Sequence, residues 1–341
     1  MRLRTWEYDL TLKHPFTISR GSVSTKTVII TEIEHDGVTG LGEAAPISRY
    51  GETAVTVRDF LQNLDLSAFP DPFAVEEIMA SLGRKGEGNT AARASIDLAL
   101  HDWIGKTLGI PLYRYWGLDR AKTPVSSFTI GIDEPEVIEA KVREAEAYPV
   151  LKVKLGTERD EEILRAIRRC TEKPLRVDAN EGWTTREEAL RKIQWLETEG
   201  VEFVEQPMPA ADLAGTAWVR KRVKLPIVAD ENSIRAHDVP DLREAFDGVN
   251  LKLMKSTGLR EGLQLIHTAR SCGMSVMIGC MIETSLGITA AAHLSPLADW
   301  ADLDGSALTS NDPFDGVVFD RGRLILPDRP GIGVVRKEGV R

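Results

Sequence analysis

Cysteine is scarce: Cys170, Cys272 and Cys280 are the only three in 341 residues, an odd count without CxxC spacing. That excludes a disulfide framework and a zinc knuckle. Long apolar runs are missing too, since no stretch approaches the roughly 18 consecutive apolar residues that a membrane-spanning helix needs. The opening residues Met1-Arg2-Leu3-Arg4-Thr5-Trp6-Glu7 alternate polar and apolar and lack the apolar segment of a signal peptide, so a reducing cytoplasm is the expected location. No basic run offsets the formal net charge of −9. The densest basic cluster, Arg220, Lys221, Arg222 and Lys224, reads as the solvated end of a helix. Neither nucleic acid nor a membrane is an expected partner.

What remains is an ordinary globular composition, 42% hydrophobic and 28% charged, in a chain long enough for one large domain or two. The first part reads as antiparallel β. Residues 28–35 form a strand, Asp36-Gly37 is a hairpin dipeptide, and residues 38–43 return. Gly40-Leu41-Gly42 lacks the third glycine and following helix of a dinucleotide fingerprint, so these glycines are assigned to the hairpin. Helical signals follow at 52–64, 72–82 and 89–108. In the last, Ala92, Ile96, Ala99, Leu100 and Trp103 share one face. His101 and Asp102 on that helix could be catalytic, but a helix packed between domains satisfies both by hydrogen bonds.

From about residue 122 the pattern becomes strand, helix, strand, helix, with strands expected at 124–130, 150–155, 174–177, 201–204, 227–229, 249–253, 275–278 and just before Asp302. A unit recurring about every 25 residues is that of a (β/α)8 barrel. The expected fold is therefore α/β: a TIM-type barrel over residues 119–314, an α+β capping domain from residues 1–118, and a tail, 315–341, that returns to the N-terminal sheet.

Several barrel strands end in ionisable groups, and a buried strand ending this way wastes desolvation energy unless the group meets a metal, a partner charge or a substrate. Strand parity aims Lys152 and Lys154 at the mouth, and likewise Asp178 and Asn180. Asp178, Glu205 and Asp230 come from successive strands as hard oxygen donors that suit Mg2+ and not zinc. Each taken singly could instead be a helix cap or an ion-paired carboxylate. Lys154 and Lys252 fall on strands facing each other across the barrel. Near a divalent cation, and with Lys152 adding a like charge, both are expected to have depressed pKa values suited to a general base. Lys255 has the opposite parity and is expected to be a surface or loop charge.

Lys152-Val153-Lys154, the three acids, Asp230-Glu231-Asn232 and the lysine of Asn250-Leu251-Lys252-Leu253-Met254-Lys255 together resemble the enolase superfamily, muconate-lactonizing-enzyme subgroup, over nearly the whole chain. The resemblance implies one Mg2+ per subunit, with Asn180 and Glu231 in supporting positions, and a homo-oligomer. Chemistry of that superfamily uses a lysine or histidine base with Mg2+ stabilising an ene-diolate. Within the subgroup, Asp302-Leu303-Asp304-Gly305 after Cys280-Met281-Ile282-Glu283-Thr284 is similar to the dipeptide epimerases. That implies a dipeptide substrate whose α-ammonium is held by Asp302 and Asp304, and epimerisation of its C-terminal residue through an enolate by Lys154 and Lys252. An Asp-Gly turn would explain Asp304 but not Asp302.

Specificity is expected from two cap loops, 15–22 and 46–52, the second carrying Tyr50, and from Cys280, Met281 and Ile282. Arg20 could pair with a glutamate side chain, favouring L-Ala-D/L-Glu, or could be a loop arginine that touches nothing in the site. A muconate cycloisomerase, an o-succinylbenzoate synthase or an N-acylamino-acid racemase would keep the same lysines and metal, but their substrates carry no free α-ammonium. A silent barrel used for binding is at odds with all five lysines and acids being present.

Overall fold

The computed structural model describes residues 1–85 and 88–339. The chain begins with a three-stranded antiparallel sheet: β1 (Arg2–Ile18), β2 (Gly21–His35) and β3 (Val38–Ala44). Asp36 and Gly37, at φ 48° and 76°, form the tight turn between β2 and β3, as two left-handed residues must in a hairpin of this kind. The first cap segment is not the free loop that the sequence suggested. Phe16 pairs with Val23, Thr17 with Ser22 and Ile18 with Gly21, so residues 16–23 are the tip of the β1–β2 ribbon.

Helices α1 (Ala54–Gln62), α2 (Val75–Gly83) and α3 (Thr90–Leu108) complete the cap. α3 is buried all round from Ala91 to Gly105, because it lies between the cap sheet and the barrel. Gly40 and Gly42 on β3 serve this packing and not the hairpin turn. A Cβ on Gly42 would lie 1.9 Å from the Ser95 carbonyl oxygen, and one on Gly40 2.0 Å from that of Ala99. Asp102, fully buried, accepts hydrogen bonds from Leu41 N at 2.8 Å and Ile332 N at 2.7 Å, and pairs with Lys106 at 2.6 Å. His101 bonds the Asp97 carbonyl at 2.8 Å. His101 and Asp102 are thus both spent on packing.

Eight parallel strands follow: β4 (Phe128–Ile130), β5 (Leu151–Lys154), β6 (Leu175–Asp178), β7 (Val201–Glu205), β8 (Ile227–Ala229), β9 (Gly248–Lys252), β10 (Ser275–Gly279) and β11 (Trp300–Asp302). A bridge between Ser126 and Ala301 closes the ring. Their apolar runs are buried on both faces, as crossover helices require of parallel strands. The tail departs from expectation. Its strands pair with each other, Phe314–Asp315 with Val335–Arg336 and Val318–Asp320 with Arg323–Ile325, and do not extend the cap sheet. The tail meets that sheet through side chains instead, Arg336 pairing with Glu32 and lying over Trp6. Residues 340 and 341 of the expected tail lie outside the described ones.

Where cap meets barrel, the Glu43 carboxylate accepts from Thr284 N at 2.9 Å, Thr284 Oγ1 at 2.5 Å and Gly287 N at 3.0 Å, beside the buried Glu283. Burial, then Glu283, pushes Glu43 up to about 8. The folded protein therefore holds a proton that the unfolded chain, with an ordinary value of 4.5, releases. Stability falls as pH rises from about 4.5 to about 8, in the direction that linkage dictates.

Two outcomes are expected. Between pH 5.5 and 8.5 the wild-type melting temperature should fall by at least about 2 °C more than that of Glu43→Gln; parallel curves would refute a raised Glu43. Gly42→Ala should cost about 2 kcal/mol or more in denaturant unfolding, since the added methyl meets backbone and not a flexible side chain.

Candidate active site

The carboxyl ends of the barrel strands face the cap, and between them lies a cavity of about 540 Å³. Arg20, Tyr50, Lys152, Lys154, Asn180, Asp230, Glu231, Lys252, Cys280, Met281, Ile282, Asp302 and Asp304 line it. Asp178 and Glu205 are fully buried beneath. The sequence-selected residues therefore gather at one mouth.

Asp178, Glu205 and Asp230 end or follow three adjacent strands, β6, β7 and β8, and each offers an oxygen within 4.8 Å of the others. Their donor set is hard oxygen, and the buried Glu205 Oε2 has the ion pair with Lys152 Nζ at 2.6 Å but no other partner among the described residues. Three convergent carboxylates with lone pairs to spare fit a small divalent cation. Neighbours hold them in place: Asn250 Nδ2 donates to Glu205 Oε1 at 2.7 Å, Gln206 Oε1 accepts from Asp230 N at 3.0 Å, and Asp178 Oδ1 accepts from Asn180 N at 2.9 Å. Asn180, Glu181 and Gln206 adopt left-handed φ values of 44°, 66° and 34°. Such strain in residues other than glycine clusters at functional sites.

Buried lysines answer the acids. Lys154 Nζ lies 2.7 Å from Asp178, and Lys252 Nζ 2.6 Å from Asp230. Lys152 Nζ lies 2.6 Å from Glu205, 2.7 Å from Asp302 and 3.3 Å from Asp178. In these contacts alone the shift of Lys252 runs opposite to the depression expected beside a divalent cation. Burial opposes the charge of Lys252, but Asp230 and Glu205 outweigh it and hold the group above the ordinary lysine range. Lys152 is likewise raised, against burial, by Asp302, Glu205 and Asp178. Lys152 is thus a counter-ion shared by three acids, while its like charge still acts to lower Lys252.

A second correction concerns Lys255, which is 1% exposed and not a surface charge. Its Nζ lies 2.5 Å from Asp230 Oδ1 and 2.5 Å from the Asp230 carbonyl. Strand parity misled because the chain leaves β9 in a turn, Lys255 N bonding back to Lys252 O at 3.1 Å. Burial would raise the Asp230 pKa, yet Lys252 and Lys255 bring it well below the ordinary carboxylate value. In Asp178, Lys154 and Lys152 likewise overcome burial and lower it to about 2. Glu205 is pushed up to about 7, by burial and then by Asp178.

Asp302 and Asp304 differ in environment. Asp302 is occupied by Lys152 and by Ser127 Oγ at 2.7 Å, and Lys152 overcomes burial to lower its pKa. Asp304 accepts from Thr129 N at 2.6 Å and faces no cation within ion-pair range among the described residues. Burial and then Asp302 push it up to about 7. Cys280 Sγ, 3.3 Å from the Asp302 carbonyl, has its thiol raised by burial and then by Asp304.

Arg20, considered as a reader of a substrate carboxylate, is already engaged: its guanidinium pairs with Glu231 at 2.8 Å and Glu181 at 3.3 Å and donates to the Asn180 carbonyl at 2.8 Å. Burial and then Asp230 raise Glu231 to about 7. Glu181 is a residue that sequence reasoning missed. It accepts two bonds from Arg49, each 2.9 Å, and one from Ala210 N at 2.9 Å, besides the pairing with Arg20. Both cap segments are thereby fastened to one barrel carboxylate. Its place directly after Asp178-Ala179-Asn180 was the only signal available in the sequence.

Residues 2–117 match the family described as mandelate racemase / muconate lactonizing enzyme, N-terminal domain, and residues 137–340 match the enolase C-terminal domain-like family. The chain is 47% identical to an L-Ala-D/L-Glu epimerase of Bacteroides thetaiotaomicron over 98% of this chain and 88% of that one. Its structure is similar to a substrate-liganded L-Ala-D/L-Glu epimerase from Bacillus subtilis, with a TM-score of 0.93 at 29% identity over 98% of both chains. A dipeptide epimerase from Enterococcus faecalis, complexed with Mg and L-Leu-L-Tyr, is similar at a TM-score of 0.89 and 34% identity over 98% of both chains.

Lys255→Met should destabilise the protein by about 3 kcal/mol, because it strips a buried carboxylate of one of its two ammonium partners. A surface lysine would give a change within about 0.5 kcal/mol. Denaturant unfolding of the variant against wild type separates the two.

Proposed function

Because the chain belongs to the mandelate racemase / muconate lactonizing enzyme family of the enolase superfamily, we propose that it epimerises dipeptides at their C-terminal residue, with L-Ala-D/L-Glu as the substrate pair. The observation that carries this reading is the placement of two lysines around one cavity. Lys154 ends β5 and Lys252 ends β9, the second and sixth of eight barrel strands, with the three acids on the strands between. Two bases on opposite sides of a bound α-carbon can exchange its proton from either face. One lysine takes the α-proton and the other returns a proton to the opposite face, and the two swap roles when the reaction runs backwards.

Asp178, Glu205 and Asp230 would hold Mg2+, which supplies Lewis-acid stabilisation of charge on the substrate carboxylate when bound. At the other end of the cavity Asp304 is the carboxylate with capacity for an ammonium group. An arriving α-ammonium would favour its charged form and oppose the burial that raises it. Asp302 contributes by holding Lys152. Phe16 lies on the cap side of Lys154, its ring centroid 5.9 Å from Nζ.

The test is proton exchange in deuterated water with Mg2+, using a panel of L-Ala dipeptides and reading mass gain at the C-terminal residue. Wild type should wash deuterium into both epimers. Lys154→Ala and Lys252→Ala should each lose epimerisation by about 10³-fold or more, each keeping exchange with one epimer and the two variants with opposite epimers. Full activity in both variants, or no exchange with any dipeptide in wild type, would overturn the assignment.

A further inference from the structure

Six cationic side chains line the cavity: Arg20, Lys26, Arg49, Lys152, Lys154 and Lys252. Five of them hold a carboxylate oxygen at 2.9 Å or closer: Arg20 that of Glu231, Arg49 that of Glu181, Lys152 that of Glu205, Lys154 that of Asp178 and Lys252 that of Asp230. Lys26 is the exception among the described residues. Paired with Leu10 in the β1–β2 register, it reaches from the cap sheet to the Pro46 carbonyl, where the second cap segment begins. A carbonyl satisfies one of the three donors of an ammonium group and none of its charge.

Neighbouring acids do not make good the deficit. Glu283 and Glu52 are the acids whose charge bears on Lys26. Glu52 is committed to the start of α3, where it accepts from Thr90 N, from Thr90 Oγ1 at 2.9 Å and from Ala91 N at 3.0 Å. Glu283 is 1% exposed and turned to Met281 N at 2.7 Å, and burial pushes its carboxyl up to about 7. Burial correspondingly lowers Lys26 to about 8. A half-buried ammonium in the wall of a ligand cavity, without an ion-pair partner, is a site for an anion supplied by the ligand.

Resting on the epimerase reading, we infer that Lys26 reads the side-chain carboxylate of the substrate's C-terminal residue and so selects acidic dipeptides. Charge bookkeeping agrees. An Ala-Glu dipeptide carries an α-carboxylate, an α-ammonium and a side-chain carboxylate. The first belongs with the acid cluster and its cation, and the second with Asp304. The third needs a positive group that the protein has not already neutralised. Arg20 would have to give up Glu231, leaving a 6% exposed acid without its ion pair. Lys26 loses nothing, because two of its N–H groups are left to donate to the carboxylate while the third keeps donating to the Pro46 carbonyl.

The experiment compares L-Ala-L-Glu with the isosteric L-Ala-L-Gln in wild type, Lys26→Met and Lys26→Arg, measuring kcat and KM separately. Lys26→Met should raise KM for the Glu dipeptide about 10-fold or more while changing that for the Gln dipeptide less than about 3-fold, with kcat for Gln preserved as evidence of an intact fold. Lys26→Arg should restore part of the Glu preference. An equal change for both dipeptides, or a Glu preference that survives Lys26→Met, overturns this inference and leaves the epimerase reading standing. Absence of turnover with every dipeptide in wild type overturns both.

Discussion

Charge balance in a buried space governs this molecule. Lys152, Lys154, Lys252 and Lys255 interleave with Asp178, Glu205, Asp230 and Asp302 at distances of 2.5 to 2.7 Å, nearly all out of contact with water. No one of these groups is tolerable there alone, because an uncompensated ion in a low-dielectric interior costs several kcal/mol. The carboxylates suited to a cation are therefore also the struts that fix the lysines, and the lysines keep the carboxylates convergent. Rigid strands make this possible, since each contributes its charge at a register set by the ladder.

The cap is held together in a different way. Its sheet and long helix approach at backbone distance through Gly40 and Gly42, and Asp102 ties β3, α3 and the tail with two backbone hydrogen bonds and an ion pair. That leaves the cavity side of the cap to short segments, the ribbon tip at 16–23 and the turn at 46–52.

The barrel was legible in the sequence because buried parallel strands are continuous apolar runs, and a polar residue at the end of each stands out against them. Asp178, Glu205, Lys154 and Lys252 sit where such reasoning put them, at strand termini. It failed where the chain leaves the strand: Lys255 lies in a turn, and parity says nothing about direction there. It also failed where a side chain's role depends on what it meets across the fold. Lys152 reads as a repelling charge until the acids around it are seen, Arg20 reads as free until Glu231 is seen, and Lys26 was not singled out at all. Gly42 was assigned to a turn because the helix pressing on it is more than fifty residues away in the chain.

Glu181, held in a left-handed conformation, receives Arg20 from one cap segment and Arg49 from the other. The two segments thus share a single hitching post on the barrel. Disturbing either arginine frees half of the same carboxylate, so the walls of the cavity respond together. Segments far apart in the chain are thereby joined into one rim through a single side chain.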